Sequence, residues 1–214
     1  MLRKFLNSRI VLINKKPNHL NKYIHNNPST QSVPCFAGNC FVELNDGTHK
    51  LVSDVSKGDI LKNNAKVKCV LKTHTKGKTC QMVKIHHNGK LFDDENYTKV
   101  APLLITTHHP IFINNKWQFP INVGQSNWLN IDCVYSFVLE THHVITINKV
   151  QVICLGHNIE NDPVLNHPYF GKNVLNDLSK QSGWSSGLIE IFDFAPIYKN
   201  GIIGSLFGEH KDYA

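Results

Sequence analysis

No two of the six cysteines stand in a CxxC pair, so a structural zinc site of the usual spacing is not encoded. They are also spread too thinly over 214 residues for the disulfide framework of a small secreted domain. The thirteen histidines leave an irregular metal site open, but the expectation is no metal and no cofactor. No run of about 20 apolar residues is present, which removes a membrane-spanning helix of ordinary length and with it a membrane partner. No apolar segment followed by a small-residue cleavage site marks a secretory signal. No acidic residue occurs before position 43.

That last absence explains the net charge of +7. Residues 1–34 hold Arg3, Lys4, Arg9, Lys15, Lys16 and Lys22, while the remainder carries 17 basic and 16 acidic side chains and is nearly neutral. A nucleic-acid partner would have only this leader to bind, and none is expected. A basic, acid-free leader has the composition of a mitochondrial transit peptide. Pro17, Asn18, Asn21, Asn26, Asn27 and Pro28 oppose a long amphipathic helix, so residues 1–34 are read as a flexible solvated tail. The compartment is left open, the cytoplasm being one candidate. From residue 35 onward the composition is that of a globular chain able to bury a core.

The hydrophobic periodicity is mostly that of strands. "CFVEL" and "HKLVSD" flank Asp46-Gly47, read as a two-residue hairpin turn. "SKGDIL" leads into a further strand. "AKVKCVLKTHT" and "CQMVKIHH" alternate about a Lys-Gly turn, and Asn88-Gly89 opens another hairpin. "PLLITT", "PIFI", "KWQFPI", "CVYSFVLE", "HVITIN" and "VQVICLG" follow, the last two joined at Asn148-Lys149. About ten strands with short connections predict an all-β body over residues 35–157. Residues 158–214 change in texture. "KNVLNDLSKQSG" has helical spacing and a Gly stop, and "GLIEIFDFAPIY" alternates as one more strand, so this part is read as a small α/β extension packed on the body.

Four elements carry chemistry: Cys35 at the leader junction, "TTHHP" (106–110), "ETHHVITIN" (140–148) with His142 and His143, and "VICLGHN" (152–158). Each alone has a plain explanation, since a single Cys is usually a small buried hydrophobe and a His pair at a strand end usually lies on the surface. Their order resembles the Hint superfamily, the self-cleaving fold shared by inteins and the C-terminal domain of Hedgehog proteins. "CFAGNCFVELNDGTHKLVSDVSKGDIL" resembles its first block. "ITTHHPIFI" resembles the second, whose Thr-x-x-His core selects Thr106 and His109. "VYSFVLETHHVITINKVQVICLGH" resembles the last. The chain is most similar to the Vint subgroup, found with von Willebrand A domains, in Cys35–Cys40, Trp117–Pro120, Leu155–His157 and His167–Gly171. The similarity covers about residues 35–200 and implies a horseshoe-like Hint fold.

The resemblance further implies an N-to-S acyl shift in which the Cys35 thiol attacks the Pro34 carbonyl and converts the amide to a thioester. Only about 3% of an ordinary thiol is ionised at neutral pH, and the departing amine needs a proton. By the same resemblance His109 would protonate the Cys35 nitrogen, with His108 as rival. Thr106 would hold the scissile carbonyl or help distort the peptide, a cis or twisted amide storing roughly 3–4 kcal/mol. Alternation places Thr106 and His109 on opposite faces unless the backbone turns before Pro110. His143 would orient or protonate groups near the thioester. Cys154 occupies the terminal position, as a Cys does in Hedgehog domains, and with His157, Asn158 and His108 completes the auxiliary candidates. Cys40 is either a strand residue or an auxiliary thiol. Ile159 after Asn158 has no nucleophile, so splicing is not expected.

The reading is a single-turnover reaction in cis by a monomer whose substrate is its own N-terminal segment. Water, a thiol or an amine takes the acyl group. The alternative is a degenerate Hint fold serving as a binding or structural module. It is favoured by the Pro34 ring crowding its carbonyl and by a leader shorter than a von Willebrand A domain. A third reading, a metal-binding protein or trans-acting cysteine hydrolase built on Cys35 and His109, lacks a nameable acyl pocket or an Asp/Asn to orient the imidazole.

Overall fold

The computed structural model describes residues 33–86, 101–192, 196–199 and 202–207. The leader up to residue 32 and the Asn88-Gly89 turn lie outside the described residues. In chain order the strands begin with β1 (Phe36–Ala37), β2 (Phe41–Glu43), β3 (His49–Leu51), β4 (Ile60–Leu61), β5 (Ala65–His74) and β6 (Thr79–Ile85). They continue with β7 (Leu103–Thr106), β8 (Ile111–Ile113), β9 (Lys116–Gln118), β10 (Ser126–Asn130) and β11 (Cys133–Leu139). Then come β12 (Val144–Ile147), β13 (Val150–Ile153), the helix α1 (Lys172–Leu178), β14 (Leu188–Ile191), β15 (Ile197–Lys199) and β16 (Ile202–Ser205). The described architecture is thus all-β with one short helix, as expected.

Two sheets carry the body. The larger runs β10-β6-β7-β1-β11-β5-β14 with β4 on β5, and the second runs β3-β2-β12-β13-β8-β9. β5 shows why: Ala65, Val67, Cys69, Leu71 and Thr73 are buried, Lys66 and Lys68 are exposed, and the strand is covered on both sides only near its middle. β11 is an almost unbroken apolar run, buried from Val134 to Leu139, as expected for a strand packed on both faces. Its one aliphatic hydroxyl, Ser136, is 1% exposed.

β1 is only two residues long, yet it sits between β7 and β11, with Phe36 opposite Ile105 on one side and Tyr135 on the other. The backbone just before β1 is therefore threaded between the two central strands. The chain then passes to the second sheet at β1–β2, β7–β8 and β11–β12, so the residues at these crossings converge. Residues after 158 close the far side. β14 adds parallel to β5, and the Tyr169 hydroxyl donates to Asp177 (2.8 Å) and accepts the Leu206 N–H (3.0 Å). Gly156 has φ +79, and a Cβ there would lie 2.7 Å from Leu175 of α1, so the turn needs Gly twice over.

Three local expectations are corrected. The Asp46-Gly47 hairpin forms, but Gly47 N–H bonds the Leu44 carbonyl (3.1 Å) and only Gly47 takes positive φ. That is a three-residue loop ending in a left-handed Gly rather than a two-residue turn. β5 and β6 are joined through the expected Lys-Gly turn but do not pair: β5 bonds β4, β11 and β14, while β6 bonds β7 and β10. The tail "GLIEIFDFAPIY" holds two strands among its described residues, β14 and the start of β15, with residues 193–195 outside the described residues. Asn148-Lys149 turns tightly as expected, both with positive φ.

Candidate active site at the Pro34–Cys35 peptide

Cys35 enters between β7 and β11 with every polar atom of its preceding peptide engaged. The Cys35 N–H donates to Thr106 Oγ1 at 2.9 Å, and that hydroxyl donates in turn to the Val33 carbonyl at 3.0 Å. From the other side the Ser136 hydroxyl donates to the Pro34 carbonyl. The Thr106 N–H bonds the Cys35 carbonyl at 2.9 Å and continues the ladder. Ser136 Oγ also lies 3.3 Å from Cys35 Sγ. A hydroxyl has one proton and a carbonyl can only accept, so the Cys35 thiol is the donor in this second contact. The expectation that Thr106 holds the scissile carbonyl is corrected: β7 meets the N–H edge of the peptide, and β11 meets its C=O edge. No cis peptide bond occurs among the described residues, so cis strain has no part here.

The site is dry. Cys35 is 1% exposed, and burial pushes its thiol up to about 12, against which the Ser136 hydrogen bond pulls. It is therefore a thiol, not a thiolate, at neutral pH. His109, 2% exposed, stands in a turn after β7 closed by its own N–H on the Thr106 carbonyl (3.2 Å). This is the turn that brings Thr106 and His109 to the same place despite strand alternation. The imidazole packs on Phe36 at 5.0 Å between ring centroids, and its Nε2 is 2.6 Å from the Ile153 carbonyl. A carbonyl accepts, so Nε2 carries the hydrogen and Nδ1 is left with its lone pair. Nδ1 is buried and has no hydrogen-bond partner. Burial drops this imidazole to about 4, while backbone contacts with Ile153 and Cys35 oppose the drop and the nearby His157 adds to it. His109 is thus a neutral base packed against the Cys35 backbone.

The other candidates fall elsewhere. His108 bonds Thr107 Oγ1 (2.9 Å) and faces Phe119, with no hydrogen bond to Cys35. His143 lies just before β12, where its carbonyl accepts the Cys154 N–H (2.7 Å) and its Nδ1 is buried without a partner. Burial lowers its pKa, as does the neighbouring His142. Cys154 is buried next to the Ile153 carbonyl that holds His109, and its thiol is pushed far up by desolvation. His157 is 4% exposed, accepts the Ile159 N–H on Nδ1 (3.3 Å), and is held down to about 4 by burial and by His143. Asn158 is exposed at the rim of a cavity of about 470 Å³. Val138, Glu140, His143 and Gly156 also line that cavity. Cys40 packs on β7, with its Sγ accepting the Leu104 N–H at 3.4 Å. Among the described residues no three His, Cys, Asp or Glu side chains are grouped to hold a metal ion.

Ser136 is the residue that sequence reasoning missed. Its signal was present: a hydroxyl in the middle of an apolar run that is buried on both sides of it must find a partner. Which partner it finds depends on the register of β1 against β11.

The family model for Vint, a Hint domain, matches residues 34–194. Among solved structures the chain is similar to the gp41-1 intein at 13% identity, over 57% of this chain and 99% of that one, with TM-score 0.41. It is similar to a DnaB intein from Synechocystis sp. PCC 6803 at 12% identity, over 57% and 99%, with TM-score 0.41. It is similar also to the Ssp DnaB mini-intein variant M86 at 11% identity, over 58% and 96%, with TM-score 0.42. No curated protein matches the sequence.

Proposed function

The chain belongs to the Vint family of Hint domains, and we propose that it processes itself by an N-to-S acyl shift at Pro34–Cys35, without splicing. The observation that carries this reading is the shared hydroxyl of Ser136, bonded to the Pro34 carbonyl and 3.3 Å from the Cys35 sulfur. Nucleophile, electrophile and an oxyanion donor thus meet at one oxygen atom, while Thr106 holds the nitrogen that must leave.

The chemistry follows from the protonation states. As Sγ attacks the Pro34 carbonyl carbon, the thiol leaves its contact with Ser136 Oγ and gives its proton to His109 Nδ1, the buried nitrogen without a partner beside the Cys35 backbone. The charge growing on the carbonyl oxygen is met by the Ser136 hydroxyl, already in place. The same Nδ1–H then passes to the Cys35 nitrogen as the C–N bond breaks, leaving a thioester to Pro34 and a free amine on Cys35. Water, a thiol or an amine takes the acyl group in the second step and frees the segment ending at Pro34. Burial raises the thiol and lowers the imidazole, so both shifts oppose forming the thiolate–imidazolium pair ahead of attack. Proton movement is therefore concerted with attack, and Nδ1 serves first as base and then as acid.

Intact mass of the purified chain tests the reading. A species lacking residues 1–34, increased by hydroxylamine or dithiothreitol and absent in Cys35→Ala, is the expected result. Full-length protein under every one of these conditions overturns it. That outcome would leave the second reading, a Hint fold kept as a binding or structural module. The 1% exposure of Cys35 favours this alternative, because burial shields a thioester there from an external nucleophile.

A further inference from the structure

We propose a second nucleophilic thiol, Cys133, with His74 as its base and Glu190 as the residue that positions the base, taking small disulfides as co-reactant. Cys133 and His74 are directly opposite one another on β11 and β5, and Glu190 is opposite Lys72 on β14 and β5. Cys133 Sγ lies 3.6 Å from His74 Nδ1, and His74 Nε2 lies 3.2 Å from Glu190 Oε1. The tautomer follows from the acceptor. An ionised carboxylate can only accept, so Nε2 carries the hydrogen, and the Nδ1 lone pair faces the thiol. The ring is held on its face as well, stacked on Phe192 at 4.1 Å and 17°. Lys72 holds Glu190 in turn, donating to the same oxygen at 2.8 Å. An imidazole held at both nitrogens and on its face is oriented well beyond what a chance strand neighbour requires.

This cluster is separate from the Pro34–Cys35 site. Three positions along β11 send Cys133 and Ser136 to opposite faces of the sheet. Access also differs: Cys35, Cys40, Cys69 and Cys154 are buried, whereas only Cys80 and Cys133 are partly exposed. Cys80 faces the Gln81 carbonyl at 3.9 Å and has no imidazole hydrogen bond, so it is an internal control. Desolvation raises the Cys133 pKa, with Lys72 opposing and Asp132 and Glu190 adding to it. The thiol therefore holds a proton at neutral pH that a base must remove.

In the exchange, His74 Nδ1 takes the Cys133 proton as the sulfur attacks a disulfide R–S–S–R′. The S–S bond breaks, Cys133–S–S–R forms, and the proton goes to the departing thiolate as R′–SH. No net oxidation occurs, since one disulfide replaces another.

The experiment is limiting oxidised glutathione or dithiodipyridine on the folded full-length chain, with the modified cysteines located by peptide mass mapping. Cys133 should react at least about tenfold faster than Cys80, a threshold set below the roughly 10²-fold low end of what a positioned base contributes to a proton transfer. His74→Gln should bring the two within about twofold. Glu190→Ala should lower the ratio, and Glu190→Gln, which keeps an acceptor for Nε2–H, should restore most of it. Cys35→Ala should leave the ratio unchanged, which separates this proposal from the self-scission. Equal rates for Cys133 and Cys80, or a ratio unmoved by His74→Gln, overturn it. Should His74→Gln unfold the chain, exposing Cys69 and Cys154 to label, the exposed Glu190 pair decides by itself: no drop in Glu190→Ala rejects the proposal.

Discussion

Removing the Ser136 hydroxyl tests the proposed mechanism most directly, because it alters one atom at the point where carbonyl and thiol meet. Two effects must be separated. In the resting protein Ser136→Ala leaves the Pro34 carbonyl without a donor in a dry site, a loss of about 1–3 kcal/mol of stability. For the rate, only the strengthening of the hydrogen bond as the oxygen gains charge counts, since the bond already exists beforehand. A hydrogen bond to a charged group is roughly twice as strong as a neutral one, so the differential is about 1–2 kcal/mol, or about 5–30-fold. Shielding of a preorganised oxyanion donor from water carries the upper end of the loss to about 100-fold. The assay is a time course of intact mass under hydroxylamine, with thermal unfolding of the same samples. Scission should slow by about 10–100-fold at a temperature where Ser136→Ala is still folded. A folded Ser136→Ala chain that cleaves within about threefold of the parent would refute the assignment of the hydroxyl to the developing oxyanion.

The remaining predictions concern the imidazoles and the packing around them. His109→Gln should reduce scission by about 10²–10⁴, whereas His108→Gln, whose imidazole bonds Thr107 and faces Phe119, should leave the rate essentially unchanged by the same mass assay. His109 is held neutral, its folded pKa of about 4 lying below the ordinary 6.5, so the unfolded chain binds the extra proton first. Stability should therefore be full above about pH 6.5 and fall as pH drops toward 4. The loss is about 2 kcal/mol from this residue between pH 7 and 5. His157 and His167, also held to about 4 by burial, act with the same sign. Urea unfolding of Cys35→Ala at the two pH values measures this, and a midpoint that does not move would contradict it. The Cys35 thiol has the opposite dependence. Its raised pKa favours the fold below about pH 9 and stops doing so as pH rises toward 12. Gly156→Ala should lower stability by about 1–3 kcal/mol, because the positive φ and the 2.7 Å approach to Leu175 both resist a methyl group. Thermal unfolding reads that loss directly, and an unchanged melting temperature would show that α1 can move aside.

Much of the architecture was legible because it is written at short range. Alternation in "AKVKCVLKTHT" and the unbroken apolar run of "CVYSFVL" each state how a strand is buried before its neighbours are known. Pairing was not legible. β5 and β6 look like a hairpin in the sequence and are separated by three strands in the sheet, since a turn between two alternating segments does not oblige them to bond. β10 was missed as well. "SNWLN" is half exposed at the sheet edge and lacks a clear apolar face.

The candidate site divides along the same line. The order of motifs, from a thiol at the head of the β body to Thr-x-x-His before a proline, could be read from residues alone and pointed to Cys35, Thr106 and His109. Local spacing could not say that Ser136 meets the Pro34 carbonyl across 102 positions of chain, or that Thr106 takes the N–H side across 71. Nor could it bring Cys133, His74 and Glu190 together from three separate strands. Residue types and periodicity set each strand's own character. The side chains that share a proton are chosen by strand register and by the crossing of chain between two sheets, and those exist only once the core has packed.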